Sequence, residues 1–306
     1  MVISIIVPCL NEAGNIKILY KDLVKSISNL GFDMDLIFIN DGSTDGTLDE
    51  IKSICEKDGQ TRYISFTRNF GQQAALLAGL RASKGDVVIM MDADLQHPVE
   101  LLPLLLNKWR EGYDIVNTRR IQTDGISLLK NWSSTLFYFL MNKLTDINIK
   151  NGEADFKLLD RRVVDVIKDS EEYHLFIRGL LKWTGFKETS VDYIACLRYS
   201  GKTKYTLTKM LRLSLDGITS FSVRPLRLSL IFAFFCLFVT FAELSHLLYI
   251  TFCNNEEIPG WSIVFILISS VGAMVLFVLG ILGEYLGRIF LQSKGRPHYV
   301  ISSTNF

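Results

Sequence analysis

The sequence predicts an α/β domain with a parallel sheet covered on both faces, followed by two membrane-spanning helices. Short β-branched runs alternate with helical patterns through the first part of the chain, and such alternation builds βαβ units. Polar motifs sit directly after the strand candidates, where open α/β sheets bind ligands. Two apolar stretches, Leu228–Phe252 and Ser262–Leu282, each reach the roughly 20 residues that a bilayer crossing needs.

The strand candidates are Val2–Val7, Leu36–Ile39, Tyr63–Phe66, Val87–Met91 and Ile115–Val116. Amphipathic helices are expected near 14–30, 46–57, 72–83 and 99–110. Asn11-Glu12 follows the first strand, Asp41-Gly42-Ser43 the second and Asp92-Ala93-Asp94 the fourth. Three polar motifs at three strand ends describe one pocket. Residues 122–145 and 203–226 mix aromatic, aliphatic and basic side chains. They read as interfacial helices lying on a bilayer, or as ordinary amphipathic helices packed on the sheet.

In the first apolar stretch only Glu243 and His246 are ionisable, and in the second nothing is. The link between them carries Glu256 and Glu257. The outer flanks carry Arg212, Arg224 and Arg227 on one side, and Arg288, Lys294 and Arg296 on the other. The positive-inside rule then places both ends of the chain in the cytoplasm. The domain boundaries that follow are a catalytic domain over 1–202, a juxtamembrane helix over 203–226, a membrane hairpin over 227–288 and a cytosolic tail over 289–306. Glu243 and His246 lie three apart on one helical face, so either a homo-oligomer buries that face or both groups snorkel to the outer surface.

With 306 residues and a net charge of +1, the chain is no strongly basic nucleic-acid binder. Hydrophobic residues make up 49% of it, an excess concentrated toward the C-terminal stretches. Five scattered cysteines without CxxC spacing suggest neither a zinc site nor a disulfide framework. The N-terminal apolar run stops at Asn11-Glu12 and has no basic leader, unlike a signal peptide.

Asp92-Ala93-Asp94 presents two carboxylates at a strand end, close enough to share one hard cation. Mg²⁺ and Mn²⁺ prefer oxygen ligands and are commonly completed by substrate phosphates. Gln96 adds an amide oxygen two residues on. Asp41-Gly42-Ser43-Thr44-Asp45-Gly46 is turn chemistry, in which Asp45 caps the next helix while Asp41 faces the pocket. An acidic acceptor there suits a uracil imide or ribose hydroxyls.

Val7-Pro8-Cys9-Leu10-Asn11-Glu12, Asn40-Asp41-Gly42-Ser43-Thr44-Asp45 and Asp92-Ala93-Asp94-Leu95-Gln96-His97-Pro98 resemble the inverting family 2 nucleotide-sugar glycosyltransferases of the GT-A fold, with its parallel or mixed sheet. Further motifs narrow the likeness: Thr67-Arg68-Asn69-Phe70-Gly71, Gly152-Glu153-Ala154-Asp155-Phe156, Phe176-Ile177-Arg178-Gly179, and the loop Arg198-x-x-Gly201-x-Thr203-Lys204-Tyr205. With the tail Gly283-Glu284-Tyr285-Leu286-Gly287-Arg288…Arg296-Pro297-x-Tyr299, they resemble polyprenyl-phosphate glycosyltransferases, in layout the bactoprenol glucosyltransferases. Dolichol-phosphate mannose synthase is a more distant relative of the same kind.

The resemblance implies that Pro8, Asn11, Glu12 and Asp41 contact the nucleotide, and that Asp92, Asp94 and Gln96 hold Mg²⁺ or Mn²⁺. It implies that Arg119, Arg198 and Lys204 grip phosphates, with Arg178 and Tyr205 on the acceptor side or structural. Asp155 matches the position assigned as catalytic base; since a lipid phosphate is already nucleophilic near pH 7, it either removes a proton or positions the acceptor or sugar. The implied reaction is inverting transfer of one hexose, glucose from UDP-glucose, to undecaprenyl or another polyprenyl phosphate. The implied setting is the cytoplasmic face of a bacterial inner membrane, and the implied assembly a homo-oligomer, a tetramer by resemblance. Thr203 replaces the usual Ser, Gln292 stands where an acid is common, and the QxxRW pattern of processive synthases is absent. Alternatives are another donor (GDP-mannose, UDP-GlcNAc or UDP-galactose), another lipid acceptor, or an inactive membrane scaffold or nucleotide-sugar sensor.

Overall fold

The computed structural model describes residues 1–121, 152–172, 175–194, 222, 224–253 and 260–306. Two compact units emerge. One holds the N-terminal α/β residues together with Arg296–Phe306, and the other holds the two long helices.

In the first unit, β1 (Val2–Cys9), β2 (Asp33–Asn40), β3 (Arg62–Phe66) and β4 (Val87–Met90) alternate with α1 (Ala13–Leu30), α2 (Thr47–Cys55) and α3 (Gln72–Ala82). A single 3-10 turn, Val99–Leu101, leads into α4 (Leu102–Arg110), followed by β5 (Ile115–Arg120). Then come β6 (Glu153–Asp160), α5 (Arg161–Ile167), α6 (Ile177–Trp183), β7 (Glu188–Tyr193) and, after the long helices, β8 (Ile301–Thr304). The expected strands and helices of residues 1–120 are all present.

The sheet order is β7-β5-β6-β4-β1-β2-β3-β8. Strands β1 to β4 pair in parallel, as expected of βαβ units. The sheet as a whole is mixed, because β6 runs antiparallel between β4 and β5 and β8 runs antiparallel beside β3. This is the mixed alternative of the GT-A-like arrangement. Its consequence is that β6 begins where β4 ends.

Both faces are covered, which is why the central strands read as near-continuous apolar runs. Ile3, Ile5, Leu36, Phe38, Val87 and Ile89 pack under Ile16, Leu19 and Leu23 of α1, with Leu102 and Leu105 of α4. Ile6, Ile37, Ile39, Val88 and Met90 pack under Ala75, Leu76 and Leu80 of α3, with Val163 and Val164 of α5. In α1 the buried positions recur at i, i+3 and i+4, and Gly31 ends the helix in the left-handed region at φ 70°.

The second unit contains α7 (Arg224–Cys253) and α8 (Gly260–Ser293). Phe232 and Phe277 meet with ring centroids 4.5 Å apart, and the Tyr285 hydroxyl donates to the Ser222 carbonyl at 2.7 Å. Val264–Ser293 is long and apolar enough to cross a membrane, whereas the corresponding apolar stretch described in α7, Ile231–His246, is shorter. Glu243 and His246 are exposed on α7. The expected interfacial helix over 122–145 lies outside the described residues, as does all of 203–226 except Ser222 and 224–226.

Candidate functional site

The carboxyl edge of β4 and the start of β6 form one side of the site. Met90 pairs with Lys157 across the antiparallel β4–β6 ladder. Continuing the same register by two residues sets Asp92 opposite Asp155. Sequence separation hid this neighbourhood: 62 residues and an antiparallel return lie between the two acids.

Asp92 and Asp94 are held by different contacts. The Gln72 side-chain amide, from the first turn of α3, donates to Asp92 Oδ1 at 2.8 Å. The Asp92 backbone N–H donates to His97 Nδ1 at 3.1 Å. Asp94 Oδ1 accepts the Gln96 backbone N–H at 3.2 Å, and Leu95 between them takes a positive φ of 59°. The result is a tight acidic turn with Asp94 buried. Burial, together with the like charges of Asp155 and Asp94, pushes the Asp92 carboxyl up to about 7 against the opposing pull of Arg178 and Gln72. His97 stacks on Phe156 at 5.0 Å. Burial drives its imidazole down to about 4 despite Asp94 and Asp155, so near pH 7 it is neutral and free to accept through Nδ1.

Asp155 is paired. Arg178 Nε, on the first turn of α6, donates to Asp155 Oδ1 at 2.6 Å. Burial raises this carboxyl, but the Arg178 charge and hydrogen bond, helped by Lys157 and His97, outweigh it and hold the pKa below the ordinary carboxylate value. Asp155 is therefore an anion across the physiological range. Behind it, on the same face of β6, Lys157 Nζ lies 3.5 Å from Glu153 and donates to Asn117 Oδ1, and Lys182 of α6 joins Glu153 at 3.1 Å.

The other side of the site is built at the ends of β1, β2 and β3. Pro8 stands beyond the β1–β4 pairing, which ends at Ile6 and Met90, so its missing N–H costs that ladder nothing. Asn11 takes a positive φ of 54°, donates its N–H to Ser43 Oγ at 3.0 Å, and accepts the Thr44 N–H through Oδ1 at 2.8 Å. Glu12 N–H donates to Thr47 Oγ1 at 2.9 Å, and Glu12 Oε2 accepts from the Asn15 amide at 2.7 Å. Asp45 accepts the Thr47 N–H at 3.0 Å, but it stands one residue before the N-cap, which is Gly46 and carries no side-chain cap, so Asp45 is not the cap residue that the sequence suggested. Asp41 is buried, and its carboxylate accepts Phe70 N–H at 2.7 Å and Gly71 N–H at 3.0 Å. Its sequence reading as a pocket acceptor lacked this contact: the acid first ties the β2 end to the loop after β3. Gly42 has φ 66°, and a Cβ there would run into the Arg68 backbone.

Arg119 forms a two-pronged pair with Asp192 of β7, both bonds 2.6 Å. Its neighbour Arg120 points to the opposite face of β5, where its charge acts on His97 and Tyr193. Arg120 Nε is buried with no hydrogen-bond partner among the described residues. Sequence reasoning singled out the first arginine of the pair and missed the second, although strand alternation had to send the two to opposite faces. Arg198, Lys204 and Tyr205 lie outside the described residues. Among the described residues, no three His, Cys, Asp or Glu side chains gather around one cation position.

Residues 4–167 match the family described as glycosyl transferase family 2. The glycosyltransferase YkcC of Bacillus subtilis is 38% identical, over 98% of this chain and 93% of its own. The bactoprenol glucosyl transferase of Shigella phage SfX is 37% identical over 99% of both chains. A prophage bactoprenol glucosyl transferase homolog of Escherichia coli K12 is 36% identical over 98% of both.

Proposed function

The chain belongs to glycosyl transferase family 2 and is a glycosyltransferase, and from that premise we propose that it transfers glucose from UDP-glucose to undecaprenyl or another polyprenyl phosphate. Similarity to bactoprenol glucosyl transferases along the whole chain supports the choice of sugar and acceptor. The observation that carries the reading is the meeting of the Asp92–Asp94 turn with the Asp155–Arg178 pair where β4 ends and β6 begins.

In this reading Pro8, Asn11, Glu12 and Asp41 line the nucleotide side. Asp92 and Asp94, with the Gln96 amide, hold Mg²⁺ or Mn²⁺. The donor set fits such an ion: burial and the like charges of Asp155 and Asp94 push the Asp92 carboxyl upward, and a cation would favour its charged form, while two carboxylates leave the remaining positions to substrate phosphate oxygens. When bound, the ion stabilises negative charge on the leaving diphosphate.

Asp155, kept ionised by Arg178, orients the sugar or the acceptor; a lipid phosphate, itself an anionic oxygen nucleophile, needs no base. Arg119, Arg120, Arg198 and Lys204 supply positive charge for donor and acceptor phosphates, and Tyr205 sits on the acceptor side. The enzyme lies in a bacterial inner membrane as a homo-oligomer, with two spans and both termini cytoplasmic. It has the domain limits 1–202, 203–226, 227–288 and 289–306.

A donor panel (UDP-glucose, UDP-galactose, UDP-GlcNAc, GDP-mannose) with purified full chain and either undecaprenyl phosphate or diacylglycerol tests the reading. Glucosyl-phosphoryl-undecaprenol as the main product, dependent on Mg²⁺ or Mn²⁺, is the expected result. Transfer from another donor, or to diacylglycerol only, would replace it.

A further inference from the structure

The segment after α8 returns to the α/β unit and completes its sheet. Ile64 pairs with Thr304, Ser65 with Ser303 and Phe66 with Ile301. The Thr67 N–H donates to the Val300 carbonyl at 3.0 Å. Asn305 extends the pairing with its side chain: Oδ1 accepts the Tyr63 N–H at 2.8 Å and Nδ2 donates to the Thr61 carbonyl at 3.0 Å. The Arg62 guanidinium lies 4.7 Å from the centre of the Phe306 ring. Together these contacts cover the edge that β3 would otherwise expose.

One contact of this segment leads into the site. The Tyr299 ring stacks on Phe66 at 4.9 Å and 14°. Phe66 meets Phe70 edge-on at 5.8 Å and 90°. The Arg68 guanidinium covers the Phe70 ring at 4.3 Å. Phe70 and Gly71 supply the backbone N–H groups that clamp Asp41, and the Arg68–Asn69 backbone lies against Gly42 of the facing loop. The loop over this side of the pocket thus rests on an aromatic stack whose outermost ring comes from beyond the apolar helices.

We infer that Tyr299 is a positioning residue for the donor: through Phe66 and Phe70 it fixes the loop that clamps Asp41, and so sets donor affinity. The inference rests on the reading of this side as the nucleotide pocket. It also makes the donor pocket conditional on the segment that follows both long helices, so that a chain lacking that segment has an α/β unit with a loosened donor loop.

The test uses the full chain in detergent with Tyr299→Ala, Tyr299→Leu and Tyr299→Phe, and with Phe306→Ala as a control on the same segment. UDP binding is measured by calorimetry, and KM and kcat are measured for UDP-glucose. Tyr299→Ala and Tyr299→Leu should raise the UDP Kd and the UDP-glucose KM about threefold to tenfold, the range an aromatic pair supports. The kcat and the acceptor KM should stay near wild type. Tyr299→Phe keeps the ring and should keep donor affinity, and Phe306→Ala should leave it unmoved. If the Ala variant fails to fold, the Leu variant, which keeps apolar bulk, carries the comparison. Unchanged Kd and KM in a folded Ala or Leu variant would overturn the inference. So would a fall in active fraction alone, or a Phe variant as impaired as Ala. Wild-type protein that binds no UDP would instead remove the donor reading itself, and this inference with it.

Discussion

Arg178 and Asp155 form the pair whose chemistry is easiest to move. Arg178 favours the charged form of Asp155, so the folded carboxyl titrates below its ordinary value. Removing the cation takes away the largest opposing influence and leaves burial, which raises the pKa. In Arg178→Gln the acid limb of the kcat/KM profile should therefore move to higher pH, by about one to three units. Wild-type activity is expected to fall at low pH as Asp155 gains a proton, and in the variant that fall should begin at higher pH. A pH profile on UDP-glucose checks this, and an unmoved limb would separate Asp155 from the rate. Arg120 offers a second test at this scale. Its buried Nε has no partner among the described residues, and its charge already acts on His97 beside the acidic turn. Arg120→Gln should lower donor kcat/KM about tenfold to hundredfold, the worth of one charged hydrogen bond, with an unchanged melting temperature. Arg119→Gln should mainly free Asp192 and cost less, since that guanidinium is already engaged.

At the scale of elements, the site depends on loops that approach each other closely. Gly42 occupies the left-handed region with the Arg68–Asn69 backbone where a Cβ would go. Gly42→Ala should destabilise the α/β unit by about 1–3 kcal/mol and raise the donor KM, measured by thermal melting and initial rates. The same scale explains what was legible in the sequence. Strands β1, β2 and β4 were readable because burial on both faces fills each with Ile, Val, Leu, Phe or Met, and each ends in a polar motif. Strand β6 was not. Its face toward α6 carries Glu153, Asp155 and Lys157, and charges in a strand read as loop until their partners Arg178, Lys182 and Asn117 are in place. Asp155 was recognised by resemblance to a family motif, yet its place opposite Asp92 needed the antiparallel register. Strand β8 is Ile-Ser-Ser-Thr, short and polar, and its pairing with β3 spans more than 230 residues of chain. No local pattern encodes that.

For the whole molecule, the sheet constrains the membrane topology. Strand β8 pairs with β3, so Arg296–Phe306, beyond both long helices, belong to the same compact unit as strands β1 to β7. With that unit on one side of a bilayer, as proposed, the chain between crosses an even number of times. Val264–Ser293 is a candidate for one crossing. A single crossing is incompatible with the sheet, which leaves two, with α7 as the other despite its shorter described apolar run, or none. In the proposed two-span topology, the positive-inside rule puts Arg224 and Arg227 before α7 and Lys294 and Arg296 after α8 on the same side, and the acidic link Glu256-Glu257 on the other. Single cysteines at Asn255 and at Ser302, in a background with the five native cysteines replaced, test this with a membrane-impermeant maleimide. In intact cells Asn255→Cys should label and Ser302→Cys should not, and permeabilisation should expose the second. Labelling of both in intact cells, or of neither, would contradict two crossings. Labelling of Ser302→Cys alone would invert the orientation and move the donor pocket away from cytoplasmic nucleotide-sugars.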